Sequence, residues 1–244
     1  MHVRLALGLV LLALVSCTAS ATEAPSATVV LFDVSNSTST EAVRARYDQT
    51  FGLVLAHVRE AGGVLGADVI DSNPMVHGVL PVNVTFEPCT ITDNSLDCRQ
   101  ALDVEEARVH GEAGAILEDS SRGTDVFGAL TLAAQFYEAY PDAGTRTLVV
   151  LSDMVQSANG MHLGKIEDWS EAQIAALLAQ APDVDLAGVR VYVVGAGATL
   201  LVGTTPMQIE GIERFWTRWF AEMGASVEFY GANLARFPIE AAAA

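Results

Sequence analysis

The chain has 244 residues, of which 51% are hydrophobic, 7% aromatic and 18% charged. That is enough apolar sequence for one domain of moderate size with its own core. Its 30 acidic residues outnumber 13 basic ones, giving a net charge of −17. A field of that sign repels phosphate backbones and anionic headgroups, which excludes nucleic acid as a natural partner and argues against docking of the domain surface on anionic lipid.

Met1-His2-Val3-Arg4 is a short basic start, and Leu5 to Val15 is an apolar stretch too short to span a bilayer. Leu14-Val15-Ser16-Cys17 is similar to the bacterial lipoprotein box, whose Cys becomes the lipid-modified N-terminus. This resemblance implies a signal peptide over residues 1–16 and an extracytoplasmic protein of the bacterial cell envelope, held to its membrane by a lipid on Cys17. The alternative is an ordinary secretory signal with a coincidental Cys. Thr18 follows where Asp would favour inner-membrane retention, so export to an outer membrane is mildly favoured over the periplasmic face of the inner one. Loss of Arg4 with the signal leaves 30 acidic against 12 basic residues, a charge of −18. Thr18 to Ser26, rich in Ala, Ser, Thr, Glu and Pro, reads as a flexible tether. No second apolar segment is long enough to cross a membrane.

From Ala27 the chain alternates strand and helix patterns. Ala27-Thr28-Val29-Val30-Leu31-Phe32 reads as a buried strand. A helical face follows over Glu41 to Glu60, ended by Gly62-Gly63. Val64 to Ile70 is a strand, and Leu80 to Phe86 an edge strand, since Pro81 fits an edge. Cys98 to Leu117 is a weaker helical pattern interrupted by Gly111 and Gly114. Asp125 to Tyr140 is a clear helix stopped by Pro141. Thr147 to Ser152 reads as a central parallel strand. Helices over Trp169 to Leu178 and Gln208 to Met223 bracket a strand over Val189 to Val194, and Val227 to Tyr230 is the last strand. The alternation implies a mostly parallel α/β sheet in one domain over residues 27–238, with a frayed tail at 239–244. Cys89 and Cys98 form an isolated pair around a polar loop; in an exported protein that spacing suggests a disulfide, because no His or third Cys is placed for zinc.

Asp33-Val34-Ser35-Asn36-Ser37 stands where the first apolar run ends. Alternate residues of extended chain share a face, so Asp33, Ser35 and Ser37 can converge on one point. Hard oxygen donors so arranged suit Mg²⁺, Mn²⁺ or Ca²⁺. Thr124 precedes a helical pattern and Asp153 ends a second buried strand, where open α/β sheets place binding sites. At these five residues the chain resembles the von Willebrand factor A domains. Their metal-ion-dependent adhesion site reads Asp-x-Ser-x-Ser, then a distant Thr, then a distant Asp. The resemblance runs from about Ala27 to Gly231. It implies a doubly wound, Rossmann-like three-layer fold, with Ser35, Ser37 and Thr124 ligating a cation directly and the two Asp often acting through water. Two ionised Asp roughly neutralise a divalent ion, leaving it Lewis acidity for one more ligand. A Glu or Asp of a protein or peptide partner fits that position. Apart from Asp125 the motif has no His, Lys or third carboxylate to activate a water, so it reads as a binding site and not as an enzyme.

Other readings stay open at this level. Ser39 or Thr40 can cap the first helix, in a capping box over Thr38 to Glu41, and Thr124 or Asp125 can cap a helix starting near Val126. Asp33 could instead be the nucleophile of a metal-dependent phosphohydrolase with Asp153 on the metal. Haloacid-dehalogenase-like enzymes start this way, but they want Asp where Ser35 stands, and Lys165 is the sole lysine. A von Willebrand-like scaffold that binds without metal is the third alternative. Gly195-Ala196-Gly197-Ala198-Thr199-Leu200 lacks the third Gly of a dinucleotide loop and reads as a tight turn. Phe215, Trp216, Trp219 and Phe220 fall at helical spacing, as a core stripe does. His57 lies on a helix, and His77 and His162 lie in loops, His162 near the rim of the candidate site. Replacing Cys17 with Ser should release the protein from membranes or block its processing. An unmodified wild-type N-terminal peptide mass with unchanged membrane fractionation would refute the lipid anchor.

Overall fold

The computed structural model describes residues 24–90, 93–197 and 205–238. The signal segment, Cys17, the tether up to residue 23, residues 198–200 of the glycine-containing turn and the 239–244 tail lie outside them. Six strands form one sheet: β1 (Ser26–Asp33), β2 (Gly63–Ile70), β3 (Val82–Phe86), β4 (Thr145–Leu151), β5 (Val189–Val194) and β6 (Ser226–Gly231). Their order is β3-β2-β1-β4-β5-β6. Only β3, at the edge, runs antiparallel to its neighbour. Five helices are α1 (Glu41–Ala61), α2 (Ser95–Leu117), α3 (Val126–Ala139), α4 (Glu171–Leu178) and α5 (Pro206–Glu222). The fold is therefore the doubly wound α/β three-layer arrangement expected from the alternation of patterns.

The strand residues sort themselves between two cores. Ala27, Val29 and Leu31 of β1 face α3, α4 and α5, whereas Val30 and Phe32 face α1 and α2. β4 splits in the same way, Leu148 and Val150 against Val149 and Leu151. Continuous apolar strands are what a sheet covered on both faces requires. β3 instead alternates: Val82, Val84 and Phe86 are buried while Asn83 and Thr85 are exposed, as suits an edge with one wet face. Pro81 stands just outside it, where its missing N–H breaks no ladder bond.

Thr40 caps α1 by accepting the Val43 N–H, and Gly62 ends it at a φ of +78°. The capping box over Thr38 to Glu41 does not form, because Thr38 is buried and turned toward β1. α2 starts three residues earlier than the sequence suggests and runs unbroken through Gly111 and Gly114. Both glycines face open space. Their propensity cost is offset by tertiary anchors: Val109, Ala113 and Leu117 are buried, and Arg59 of α1 pairs with Glu106 at 3.0 Å. The first turn of α2 is held by a Cys89–Cys98 disulfide with a Cα–Cα distance of 5.9 Å.

The aromatic stripe is core. Phe215, Trp216, Trp219 and Phe220 are all essentially inaccessible, and Phe127 of α3 packs 4.7 Å from Trp216, ring centre to ring centre. Each indole N–H finds an oxygen, Trp216 on the Met154 carbonyl at 2.8 Å and Trp219 on that of Pro182 at 3.2 Å. No described helix is long and apolar enough to cross a membrane. Reducing the Cys89–Cys98 bridge should destabilise the domain by about 2–3 kcal/mol, by loop-closure entropy. Thiol labelling of the denatured, unreduced protein should find neither cysteine free, and quantitative labelling of both would contradict the bridge.

Candidate metal centre

From β1 the chain moves outward through β2 to β3, then crosses back to β4 on the other side of β1. The loops leaving β1 and β4 therefore diverge and leave a crevice at the carboxyl ends of these strands. Asp33 is the last residue of β1, and Asp153 follows β4 by two residues. Both carboxylates are buried, Asp33 at 2% and Asp153 at 7% exposure.

Asp33 is held from three sides. Its Oδ1 accepts the Ser35 N–H at 2.9 Å, and its Oδ2 accepts the Ser152 hydroxyl at 2.6 Å. The Thr38 hydroxyl donates to the Asp33 carbonyl at 2.7 Å. The turn after β1 brings the Ser35 and Ser37 hydroxyl oxygens to 3.0 Å from each other. Asp33, Ser35 and Ser37 thus converge as their alternate spacing suggests, although Ser37 reaches the group from a 3₁₀ turn over Asn36–Thr38.

Thr124 arrives by a different route. Ser121 pairs with Ser35 in an isolated bridge, which draws the segment before α3 beside the β1 loop. The backbone of Thr124 is then clamped to the loop after β4. Its N–H donates to Ser157 Oγ and its carbonyl accepts the Ser157 N–H, both at 2.9 Å. Gln156, wholly buried, accepts the Val126 N–H at 2.7 Å and donates to Asp125 Oδ1 at 3.2 Å. Asn159 donates to Asp125 Oδ2 at 2.7 Å. Asp125, not Thr124, is the cap of α3, accepting the Gly128 N–H. Thr124 is thereby left buried with no capping duty.

The donor set passes a chemical test for a divalent cation. Two carboxylates and three hydroxyls are hard oxygens, with about the charge such an ion needs. Burial, and then repulsion from Asp153, push the Asp33 carboxyl up to about 7, against hydrogen bonds from Ser152 and Ser35 that lower it. A positive ion between the two would relieve that repulsion. The hydroxyl of Tyr47, on α1, is buried without a partner and lies in the field of both Asp33 and Asp153. An ion's hydration shell would supply such a donor with an acceptor. No three His, Cys, Asp or Glu side chains gather into a metal-holding group among the described residues. The candidate site accordingly rests on hydroxyls as much as on carboxylates.

Several supporting residues escape sequence reading. Ser152, Thr38, Gln156 and Ser157 are common polar residues with no motif of their own. In the sequence Thr38 opens a capping-box pattern and Ser152 closes a strand pattern, and neither reading points to the site. These histidines stay apart: His57 meets Phe237 edge to face, His162 is exposed, and His77 bridges Asp68 at 3.1 Å and Asp71 at 3.3 Å. After β5, Gly195 and Gly197 take φ of +110° and +70° in a tight turn.

No protein-family model matches this chain, and no curated protein matches it either. Among solved structures, the pilus adhesin SpaC from Lactobacillus rhamnosus GG, in its open conformation, is similar at 13% identity and a TM-score of 0.46, over 87% of this chain and 28% of that one. The human COPII-coat protein Sec24c is similar at 12% identity and a TM-score of 0.36, over 88% of this chain and 30% of that one. The chain thus spans less than a third of either protein, and likeness of this degree identifies neither a family nor a function.

The raised carboxyl of Asp33 has a signed consequence in chelator. Between its ordinary value of 3.8 and about 7, the folded protein keeps a proton that the unfolded chain has lost. This group's contribution to stability therefore falls as pH rises through that window. Asp33→Asn does not titrate, so its melting temperature should decline less between pH 4 and 8 and exceed the wild type's above pH 7. Parallel curves for the two proteins would contradict the shift.

Proposed function

We propose that this chain is a von Willebrand factor A-like binding module that holds an acidic side chain of a protein or peptide partner through a divalent cation. The observation that carries the reading is the arrangement at the switch point. The Asp33, Ser35 and Ser37 loop and the buried Asp153 meet there, and the segment carrying Thr124 is tied to both loops, through Ser121 to Ser35 and through its own backbone to Ser157. Ser35, Ser37 and Thr124 would hold the cation, Mg²⁺ or else Mn²⁺ or Ca²⁺, and Asp33 and Asp153 would balance its charge. The bound ion supplies Lewis acidity for one further oxygen ligand. This chain's residues would present the hydroxyls, those of Ser35 and Ser37 already 3.0 Å apart, and the protein is read as a binder and not as an enzyme. The Cys89–Cys98 bridge favours an oxidising, extracytoplasmic compartment. It agrees with a lipid-anchored protein of the bacterial cell envelope, as the Leu14 to Cys17 resemblance implies.

Adding Mg²⁺ or Mn²⁺ to chelator-stripped protein should raise its melting temperature. At a hundred times the dissociation constant the gain is about 2.7 kcal/mol, or roughly 5–10 °C for a domain of this size. Asp33→Ala should melt within a few degrees of wild type in chelator and show no such rise. Equal shifts in both proteins would place the cation elsewhere on the acidic surface and favour the metal-independent scaffold.

A further inference from the structure

Tyr47 projects from α1 and is fully buried, at 0% exposure. Its ring belongs to the core between α1 and the sheet, with Phe32 and Val194. A buried tyrosine hydroxyl normally finds a hydrogen-bond partner, yet this one has none among the described residues. Its position explains what it is near. A Cβ built on Gly195 would fall 2.6 Å from the Tyr47 hydroxyl and 3.0 Å from the Ser152 carbonyl oxygen. The hydroxyl thus lies at the carboxyl ends of β4 and β5, beside the residue that binds Asp33 and precedes Asp153. Gly195 keeps this space open: it takes a φ of +110°, and any side chain there would strike the hydroxyl. Burial first, and then Asp33 and Asp153, disfavour ionisation of the hydroxyl. Tyr47 therefore remains a neutral O–H donor in the field of the two carboxyl groups.

We propose that Tyr47 is a positioning residue for the cation site, its hydroxyl donating into the hydration shell through which Asp33 and Asp153 act. The inference rests on the cation-dependent reading above and extends it to a residue outside the five-part motif. An outer-layer donor of this kind orients what touches the metal, and its loss commonly weakens metal affinity tenfold or more. A hydroxyl that is merely unpartnered in an apolar core would leave cation affinity unchanged, since removing it only relieves a desolvation cost. The two roles therefore separate in one conservative variant.

The test titrates Mn²⁺ and Mg²⁺ calorimetrically into the full chain, as wild type, Tyr47→Phe and Asp33→Ala, well below the melting temperature. Melting in chelator is measured alongside. Tyr47→Phe should fold, should melt at or above the wild-type temperature in chelator, and should bind the cation about tenfold more weakly. Unchanged affinity in Tyr47→Phe, with wild type binding and Asp33→Ala not binding, would overturn this inference and leave the cation site standing. A lower melting temperature of Tyr47→Phe in chelator would also overturn it, because the hydroxyl would then be bonded within the metal-free fold. Equal binding by wild type and Asp33→Ala would overturn both readings together.

Discussion

The hydrogen bond from Ser152 to Asp33, 2.6 Å long, ties the ends of the two central strands together, and the geometry around it follows from that tie. A buried carboxylate costs several kcal/mol unless donors surround it. For Asp33 those donors gather beyond the last ladder bonds of β1 and β4, from the Ser35 N–H and the Ser152 hydroxyl. Ser152 donates to Asp33 and accepts the Met154 N–H at 2.8 Å. That second bond fixes Met154 at a φ of +64°, a conformation of order 1–3 kcal/mol above the usual regions for a non-glycine residue. The sharp turn sets the direction of the loop that carries Asp153 and, four residues later, the Ser157 clamp on Thr124.

Rigidity reaches this turn from the core. Trp216, inaccessible and packed on Phe127, holds the Met154 carbonyl through its indole N–H. The aromatic stripe of α5 is therefore structural and also bears on the site, since it fixes the strained residue beside Asp153. On the other face of the sheet, Tyr47 places a hydroxyl at the same strand ends. The two hydrophobic cores, one on each side, thus each extend a polar atom toward the switch point. Loops alone would leave the five oxygens free to separate under the repulsion of two carboxylates.

The acidic surface acts at longer range. A net charge of −17 concentrates cations around the protein and repels anionic partners at a distance. A partner carboxylate would approach against this field and be held only where a bound cation reverses it locally. Such a balance favours recognition at one point over broad electrostatic adhesion.

The order of strands and helices was legible in the sequence because covered parallel strands must be continuously apolar and surface helices must be amphipathic. β5 begins and ends at the residues its pattern marks, and the alternation up to Phe86, with Pro81 at its start, marks the edge, although the strand begins only at Val82. Asp33 and Asp153 were legible as candidates for a related reason: polar residues directly after an apolar run stand at a strand end whatever the tertiary fold. The unbroken course of α2 was not legible, because Gly111 and Gly114 carry a propensity cost that only contacts with α1 and the disulfide outweigh. Nor were the supports of the site. Ser152, Thr38, Gln156 and Ser157 matter through partners 5 to 119 residues away. A single hydroxyl or amide leaves no periodic trace by which that partner could be read. Sequence determined which residues end the strands, since burial imposes a local pattern. Tertiary structure alone decided that Tyr47 and Trp216 reach those ends, because side chains distant in sequence meet only when the sheet has folded between them.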